Sequence, residues 1–470
     1  MTDLATLDAL GQADLVARGE VTPAELLDAA IARAEAADPA LNFMAQKLYD
    51  RARAAVPAAG PFRGVPFLVK DLHIHIAGER SGEGSNLWNG YVADHNSTLY
   101  DRLVAAGLTV FGKTTTPEFG LTVTTESRAY GKTRNPWSLD HSAGGSSGGA
   151  ACAVAAGVVP IAQASDGGGS IRCPAAACGV FGLKPSRGRV PMGPHATEGW
   201  LGLSINGAVS WSVRDNAALL DATHGPEAGG RYTAPAPTGT FLAAAGRDPG
   251  ALRVAVMREA PTGVPVDPQV LAALDAAAKL LESLGHHVEI AQPALPGAAL
   301  AEALVAVIAA ATAHDVGVRC AALGRDRAGD DIESITAMFV YIGKQTSGIQ
   351  LLAANQLFQN AARTMAQFLT GFDIILSPVF ARPPIELGKI DLSPPDVATW
   401  TAHITGYSPF TALANQTGQP AMSLPLGMSD TGLPIGVMAT GRYGEEALLY
   451  SLAGQIERAA PWAGRRPLAR

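Results

Sequence analysis

Cysteine is scarce in this 470-residue chain. Cys152, Cys173, Cys178 and Cys320 are the four present, and no zinc-type CxxC pair occurs among them. That excludes a disulfide-stapled scaffold and a zinc ribbon, and the four read as free thiols in a reducing compartment. Charge is sparse too: 16% of residues are charged and the formal net charge is −7, which leaves no broad basic field for a phosphate backbone. Direct binding of nucleic acid is therefore not expected. Long hydrophobic runs are missing as well. The alanine-rich stretch from Ala298 to Thr312 is broken by Glu302 and runs into His314 and Asp315, so no membrane span is expected. Met1-Thr2-Asp3-Leu4 has no basic segment leading into an apolar run, so no secretory signal is expected either. The ten histidines include no HExxH pair, and neither a metal nor another cofactor is expected. A cytoplasmic protein acting on a small molecule fits these absences.

What is present is a large apolar fraction, 47%, enough to bury a sizeable core. Thr22-Pro23-Ala24-Glu25 is a capping box with proline at the first helical position, and Leu27 and Ile31 follow at helical spacing. Val65 to Lys70 is a short apolar run ending in lysine, which suits a buried strand. A helix pattern from Leu99 closes on Gly107, and a strand pattern restarts at Leu108. Gly148 to Gly157 reads as a small-residue helix, with strands at Val158 to Ala164 and Val180 to Leu183. Leu252 to Met257, a helix opened by Asp267-Pro268 and ended by Gly285, and His287 to Ile290 make a βαβ signature. Long helical patterns fill Ala299 to Leu323 and Ser347 to Leu369, and strands follow at Asp373 to Leu376, Ala421 to Leu424 and Ile435 to Ala439. No repeat and no disordered linker interrupts this alternation, so one α/β body spanning 1–470 is expected, with an N-terminal helical segment over 1–60.

Two familiar motifs occur in unsuitable settings. Gly107 to Thr114 matches the phosphate-loop expression, but its interior, Leu108 to Phe111, is itself strand-like and Thr116-Pro117 follows. Gly144-Gly145-Ser146-Ser147-Gly148 satisfies GxSxG, yet the residues before it, Ser138-Leu139-Asp140-His141-Ser142, are polar rather than a buried strand.

A third grouping is chemically coherent. Ser170 follows Asp166-Gly167-Gly168-Gly169 directly after an apolar strand. Three glycines let the backbone turn its N–H groups toward a carbonyl beside the hydroxyl, although a solvated turn would have the same composition. Lys70 ends Phe67-Leu68-Val69 in a chain with 8 lysines and 27 arginines. To act as a base it must be neutral, and lowering its pKa from about 10.4 to about 7 costs on the order of 4 to 5 kcal/mol, which burial can supply. Asp71 is its neighbour in sequence, but successive strand residues point to opposite faces.

Taken together, the stretch Gly144-Gly145-Ser146-Ser147-Gly148-Gly149, then Asp166 through Ala175, then Gly179-Val180-Phe181-Gly182-Leu183-Lys184-Pro185 resembles the signature of the amidase signature enzymes. Gly64-Val65-Pro66 with Lys70-Asp71, Gly112-Lys113-Thr114 with Pro117-Glu118 and Gly120, and Asn415 to Ala421 extend the likeness over nearly the whole chain. Within the family it is most similar to bacterial amidases and to oligoamide hydrolases of the nylon-degrading type, through Arg134-Asn135-Pro136-Trp137, Pro461-Trp462 and Arg465-Arg466-Pro467.

The resemblance implies a large mixed β-sheet flanked on both faces by α-helices, a catalytic core over 61–200 and a variable, substrate-lining helical region over 290–370. It implies cleavage of carboxylic amide bonds through an acyl-enzyme. Ser170 would be the nucleophile, Ser146 the bridging serine of a cis peptide and Lys70 the base. The N–H groups of Gly167, Gly168, Gly169 and Ser170 would form an oxyanion hole, supported by Ser147, Asp166 and Arg172. Members usually carry a larger residue where this chain has Gly167, which implies a looser loop or a wider acyl pocket. Candidate pocket residues are Thr124 and Thr125, within Thr122 to Ser127, and His314, beside Asp315. Met338, Phe339, Tyr341, Leu352 and Phe358 recur at helical intervals, as core or as cleft. A hydrophobic, aryl or oligomeric amide is the expected substrate, with carbamates and esters open to the same chemistry. A monomer or homodimer is expected. The alternative is the A subunit of a glutamyl-tRNA(Gln) amidotransferase, releasing ammonia from glutamine.

Overall fold

The computed structural model describes residues 4–467, and the expectation drawn from Met1-Thr2-Asp3 lies outside them. Its centre is an 11-stranded sheet. Across it the order is Met44–Lys47, Thr109–Thr114, Pro66–Lys70, Ile161–Asp166, Ile205–Ser210, Phe181–Lys184, Ala421–Met428, Pro434–Thr440, Ile374–Pro378, Arg253–Val256, His287–Ile290. The sheet is mixed. Pro66–Lys70 runs parallel to both Thr109–Thr114 and Ile161–Asp166, Ile205–Ser210 is antiparallel to both its neighbours, and the far edge returns to parallel pairing.

Every residue of Pro66–Lys70, Ile161–Asp166 and Phe181–Lys184 is buried. Alternate strand side chains point to opposite faces, so both faces of the sheet centre are covered by helices. Gly148–Ala155 and Arg172–Cys178 pack on the sheet from the signature region, and Pro268–Ser283, Val213–Thr223 and Glu446–Ala459 pack on it from the rest of the chain. The helix starts follow local chemistry: Thr22 forms a full capping box with Glu25, and Asp267 accepts the N–H of Gln269 ahead of Pro268.

One central strand is absent from the sequence-based expectation. Ile205–Ser210 contains Asn206-Gly207, a pair that ordinarily marks a hairpin turn. Here a Cβ on Gly207 would lie 2.8 Å from the Leu183 carbonyl, and Asn206 accepts a hydrogen bond from Gln163 Nε2 at 3.1 Å. Close packing and a buried amide pair therefore override the turn preference. By length and composition alone, Gly297–Ala322 is apolar enough to cross a membrane. It packs along Ser334–Gln345 and Gly348–Gly371, burying Leu300, Ala303, Val307 and Val316 in a stripe.

Because Pro66–Lys70 and Ile161–Asp166 are parallel neighbours, their carboxyl ends emerge at the same sheet edge. Lys70 closes the first and the glycine loop follows the second. Strand ends of this kind are where α/β sheets place ligands.

Candidate active site

Lys70 is fully buried. Its backbone N–H donates to Gln163 Oε1 at 2.9 Å, while its Nζ donates to Ser146 Oγ at 2.7 Å and to Ser165 Oγ at 3.2 Å. Burial pushes its pKa down to about 7, against the partly opposing carboxylates of Asp166 and Glu83. Asp71 turns away, as strand alternation requires, and pairs with the buried Lys113 Nζ at 3.1 Å. Lys113 also donates to the carbonyls of Ile74 and Arg80, so the lysine of the phosphate-loop look-alike is spent inside the strand layer.

Ser146 follows a cis peptide bond at Gly145-Ser146. The tight bend explains the glycines around it: a Cβ on Gly145 would lie 2.3 Å from the Thr124 carbonyl oxygen. Thr125 braces the bend, its hydroxyl donating to the Gly144 carbonyl at 2.8 Å and accepting the Gly148 N–H at 3.1 Å. Thr124 is fully buried and donates to the Ile390 carbonyl at 2.8 Å. Both threonines therefore stand behind the bend, and neither lines the cavity that Ser146 and Ser170 share. Ser147 joins the bend to the glycine loop: its hydroxyl donates to the Ser165 carbonyl at 3.1 Å and its N–H to the Ser170 carbonyl at 3.2 Å.

The glycine loop is held from beneath by a buried ion pair. Asp166 receives Arg172 Nε at 2.9 Å and Nη2 at 2.8 Å, the Gly169 N–H at 2.8 Å and the Asn415 amide at 2.9 Å. Burial alone would raise the Asp166 pKa, but Arg172 beside it holds the carboxyl far below the usual carboxylate range. Arg172 also reaches the Thr411 carbonyl at 2.7 Å. Replacing Arg172 by methionine strands a buried carboxylate, and a loss of about 3–5 kcal/mol in urea denaturation is expected. A loss below about 1 kcal/mol would show that the pair does not carry the loop.

Four N–H groups were expected in the oxyanion hole, but that of Gly169 is committed to Asp166. Of the four, those of Gly167, Gly168 and Ser170 remain. Ser170 is half-buried and lines one cavity with Ser146, Ser165, Gly167, His73 and Trp200. Among the described residues its hydroxyl has no hydrogen-bond partner, so the link from Ser146 to Ser170 is not closed in this structure although both face the same space.

The space beside Gly167 is not open. A Cβ there would lie 2.7 Å from Cε3 and Cζ3 of Trp200, whose indole occupies the space. His314 is exposed on Gly297–Ala322 and does not line this cavity, which His73 lines instead. Beside His73, burial would raise the Glu83 pKa, but the His73 and His75 rings hold it down to about 2. In the variable region Phe339 and Phe358 are buried in apolar clusters while Tyr341 and Leu352 are largely exposed. Away from Lys70 and the two serines, Asp94, His95 and His195 bring one donor atom each within 4.8 Å of one another. Sequence reading missed Ser165, Gln163, His73 and Trp200. Only Ser165, adjacent to the signature aspartate, carried a local cue.

The amidase family profile matches residues 25–450. The 6-aminohexanoate-cyclic-dimer hydrolase of Pseudomonas sp. (strain NK87) is 40% identical over 98% of this chain and 96% of its own length. A solved structure of a 6-aminohexanoate cyclic dimer hydrolase superposes with a TM-score of 0.94 at 38% identity, covering 100% of this chain and 99% of that one. A bacterial aryl acylamidase of the amidase signature family superposes with a TM-score of 0.88 at 28% identity, over 98% and 99% of the two chains. With its signature residues gathered at one sheet edge, and with these full-length likenesses, the chain belongs to the amidase family.

Proposed function

We propose that the protein hydrolyses carboxylic amides through an acyl-enzyme on Ser170, with Ser146 and Lys70 as a proton relay. The observation that carries this reading is the buried Lys70 amine 2.7 Å from the Oγ of Ser146, a residue that lines one cavity with Ser170. A serine hydroxyl is a weak nucleophile until its proton has somewhere to go, and an uncharged lysine can take it. Ser170 Oγ attacks the carbonyl carbon, its proton passes to Ser146, and Ser146 passes its own proton to Lys70 Nζ. In this mechanism the N–H groups of Gly167, Gly168 and Ser170 receive the oxyanion. The C–N bond then breaks as the Lys70 ammonium returns a proton through Ser146 to the departing nitrogen, which makes it a neutral amine. Water, activated by the same relay, releases the acid and regenerates Ser170.

The cavity walls beside the serines include Leu72 and the Trp200 indole, which favours an apolar, aryl or oligomeric amide over a charged one. The full-length likeness to a hydrolase of 6-aminohexanoate cyclic dimer supports the same class. Carbamates and esters present a carbonyl of the same geometry.

Mass spectrometry after treatment with an alkyl fluorophosphonate, followed by turnover of apolar amides and of glutamine, tests this function. A single adduct on Ser170 with turnover of apolar amides is expected. An adduct on another serine would overturn the mechanism, and turnover of glutamine alone would favour an amidotransferase-type glutaminase.

A further inference from the structure

Trp200 does not reach the cavity by accident of packing. It has φ 50 and Leu201 has φ 52, two successive non-glycine residues in the left-handed region, followed by Gly202 at φ 81. Such a backbone is disfavoured for any residue with a Cβ and persists only where the surroundings enforce it, commonly at ligand-binding sites. Here the bridge between Gly199 and Ser204 closes the turn, and Arg187 Nε donates to the Gly202 carbonyl at 2.6 Å. Asn415 ties the turn to the catalytic loop, its amide donating to the Leu203 carbonyl at 3.0 Å and to the Asp166 carbonyl at 3.0 Å. Behind the indole lies an apolar cluster that includes Leu203, Leu300 and Phe358. The ring is thus held from behind, while in front it fills the space that any side chain at position 167 would need.

We propose that Trp200 and Gly167 form a single specificity element: the indole is the wall against which the group next to the scissile carbonyl lies, admitting flat or unbranched acyl groups and excluding those branched at the α-carbon. This rests on the acyl-enzyme reading above, since it is the Ser170-bound acyl group that meets the wall. Gly167 carries one of the available N–H donors, so a group seated there lies close to the ring that takes the place of a side chain. The ring does no chemistry; it positions the acyl group.

The test uses the full-length protein with p-nitroanilides of hexanoic acid and of 2-ethylhexanoic acid, for the wild type, Trp200→Ala, Gly167→Ala and the double variant. Trp200→Ala is expected to raise kcat/KM for the branched relative to the linear anilide by at least about tenfold, the scale on which apolar pockets discriminate. Gly167→Ala is expected to lower kcat/KM for the linear anilide by about tenfold through displacement of the ring, but by less than about twofold in the Trp200→Ala background. A structural role alone would lower both substrates together. An unchanged branched-to-linear ratio in Trp200→Ala, or an equal Gly167→Ala penalty in both backgrounds, overturns the inference and leaves the amidase mechanism standing. Failure of the wild type to cleave either anilide, or any other amide, overturns both.

Discussion

Ser170→Ala is expected to lower amide turnover on the order of 10⁵–10⁶-fold, the scale on which an enzyme loses its covalent nucleophile. The serines nearest to it in the signature are already engaged. Ser146 and Ser165 both accept from Lys70, and the Ser147 hydroxyl is engaged with the Ser165 backbone. What survives is binding and the N–H donors, which by themselves provide about 10³–10⁴-fold over water. The loop should keep its shape, because the Ser170 backbone is held by the Ser147 N–H and the Asp166–Arg172 pair rather than by its hydroxyl. The variant should therefore melt like the wild type while losing both turnover and the fluorophosphonate adduct. Retention of more than about one hundredth of wild-type turnover would sink the assignment of the nucleophile.

Lys70→Ala is expected to cost about 10³–10⁵-fold and, more tellingly, to change the pH dependence. In the proposed relay Lys70 acts when neutral. With burial pushing it down to about 7, kcat/KM of the wild type should rise about tenfold per pH unit below that value and level off above it. The variant has no amine to titrate there, so its residual activity should climb with hydroxide and show no plateau. A plateau with the same midpoint in the variant would assign the titration to another group. Lys184 is the obvious competitor, being buried and likewise pushed down to about 7 by burial. Its Nζ donates to the Pro185 carbonyl at 2.8 Å rather than to a serine.

The same shift has a consequence for stability. An unfolded lysine titrates near 10.4 and folded Lys70 at about 7, so between those pH values the unfolded chain binds more protons and stability rises with pH. Each pH unit in that window is worth about 1.4 kcal/mol per such lysine. Lys70→Met removes one contribution and should flatten the rise seen in urea denaturation, leaving that of Lys184. An unchanged slope would mean that Lys70 keeps its proton in the folded state.

The elements nearest the site differ in how far their residues announced them. Pro66–Lys70 and Ile161–Asp166 were visible because apolar runs with turn signals at their ends are local patterns. Ile205–Ser210 was not, because its Asn206-Gly207 obeys neighbours on other strands rather than its own turn preference. Thr124 and Thr125 looked like pocket residues from their place in the chain. Their hydroxyls are consumed by Ile390 and Gly144, contacts with no sequence marker. Gly169 was indistinguishable from Gly167 and Gly168 until its N–H was found on Asp166.

Chain order alone determined the strand–helix alternation and the family likeness, and through that likeness the proposed grouping of Lys70, Ser146 and Ser170, since periodicity, capping and motif spacing are short-range properties. Tertiary structure alone decided that Lys70 and Ser146, 76 positions apart, share a hydrogen bond. It also decided that burial lowers the lysine's proton affinity, and that Trp200 occupies the room Gly167 leaves. Desolvation and excluded volume depend on everything that surrounds a group in space, and most of those surroundings are distant in sequence.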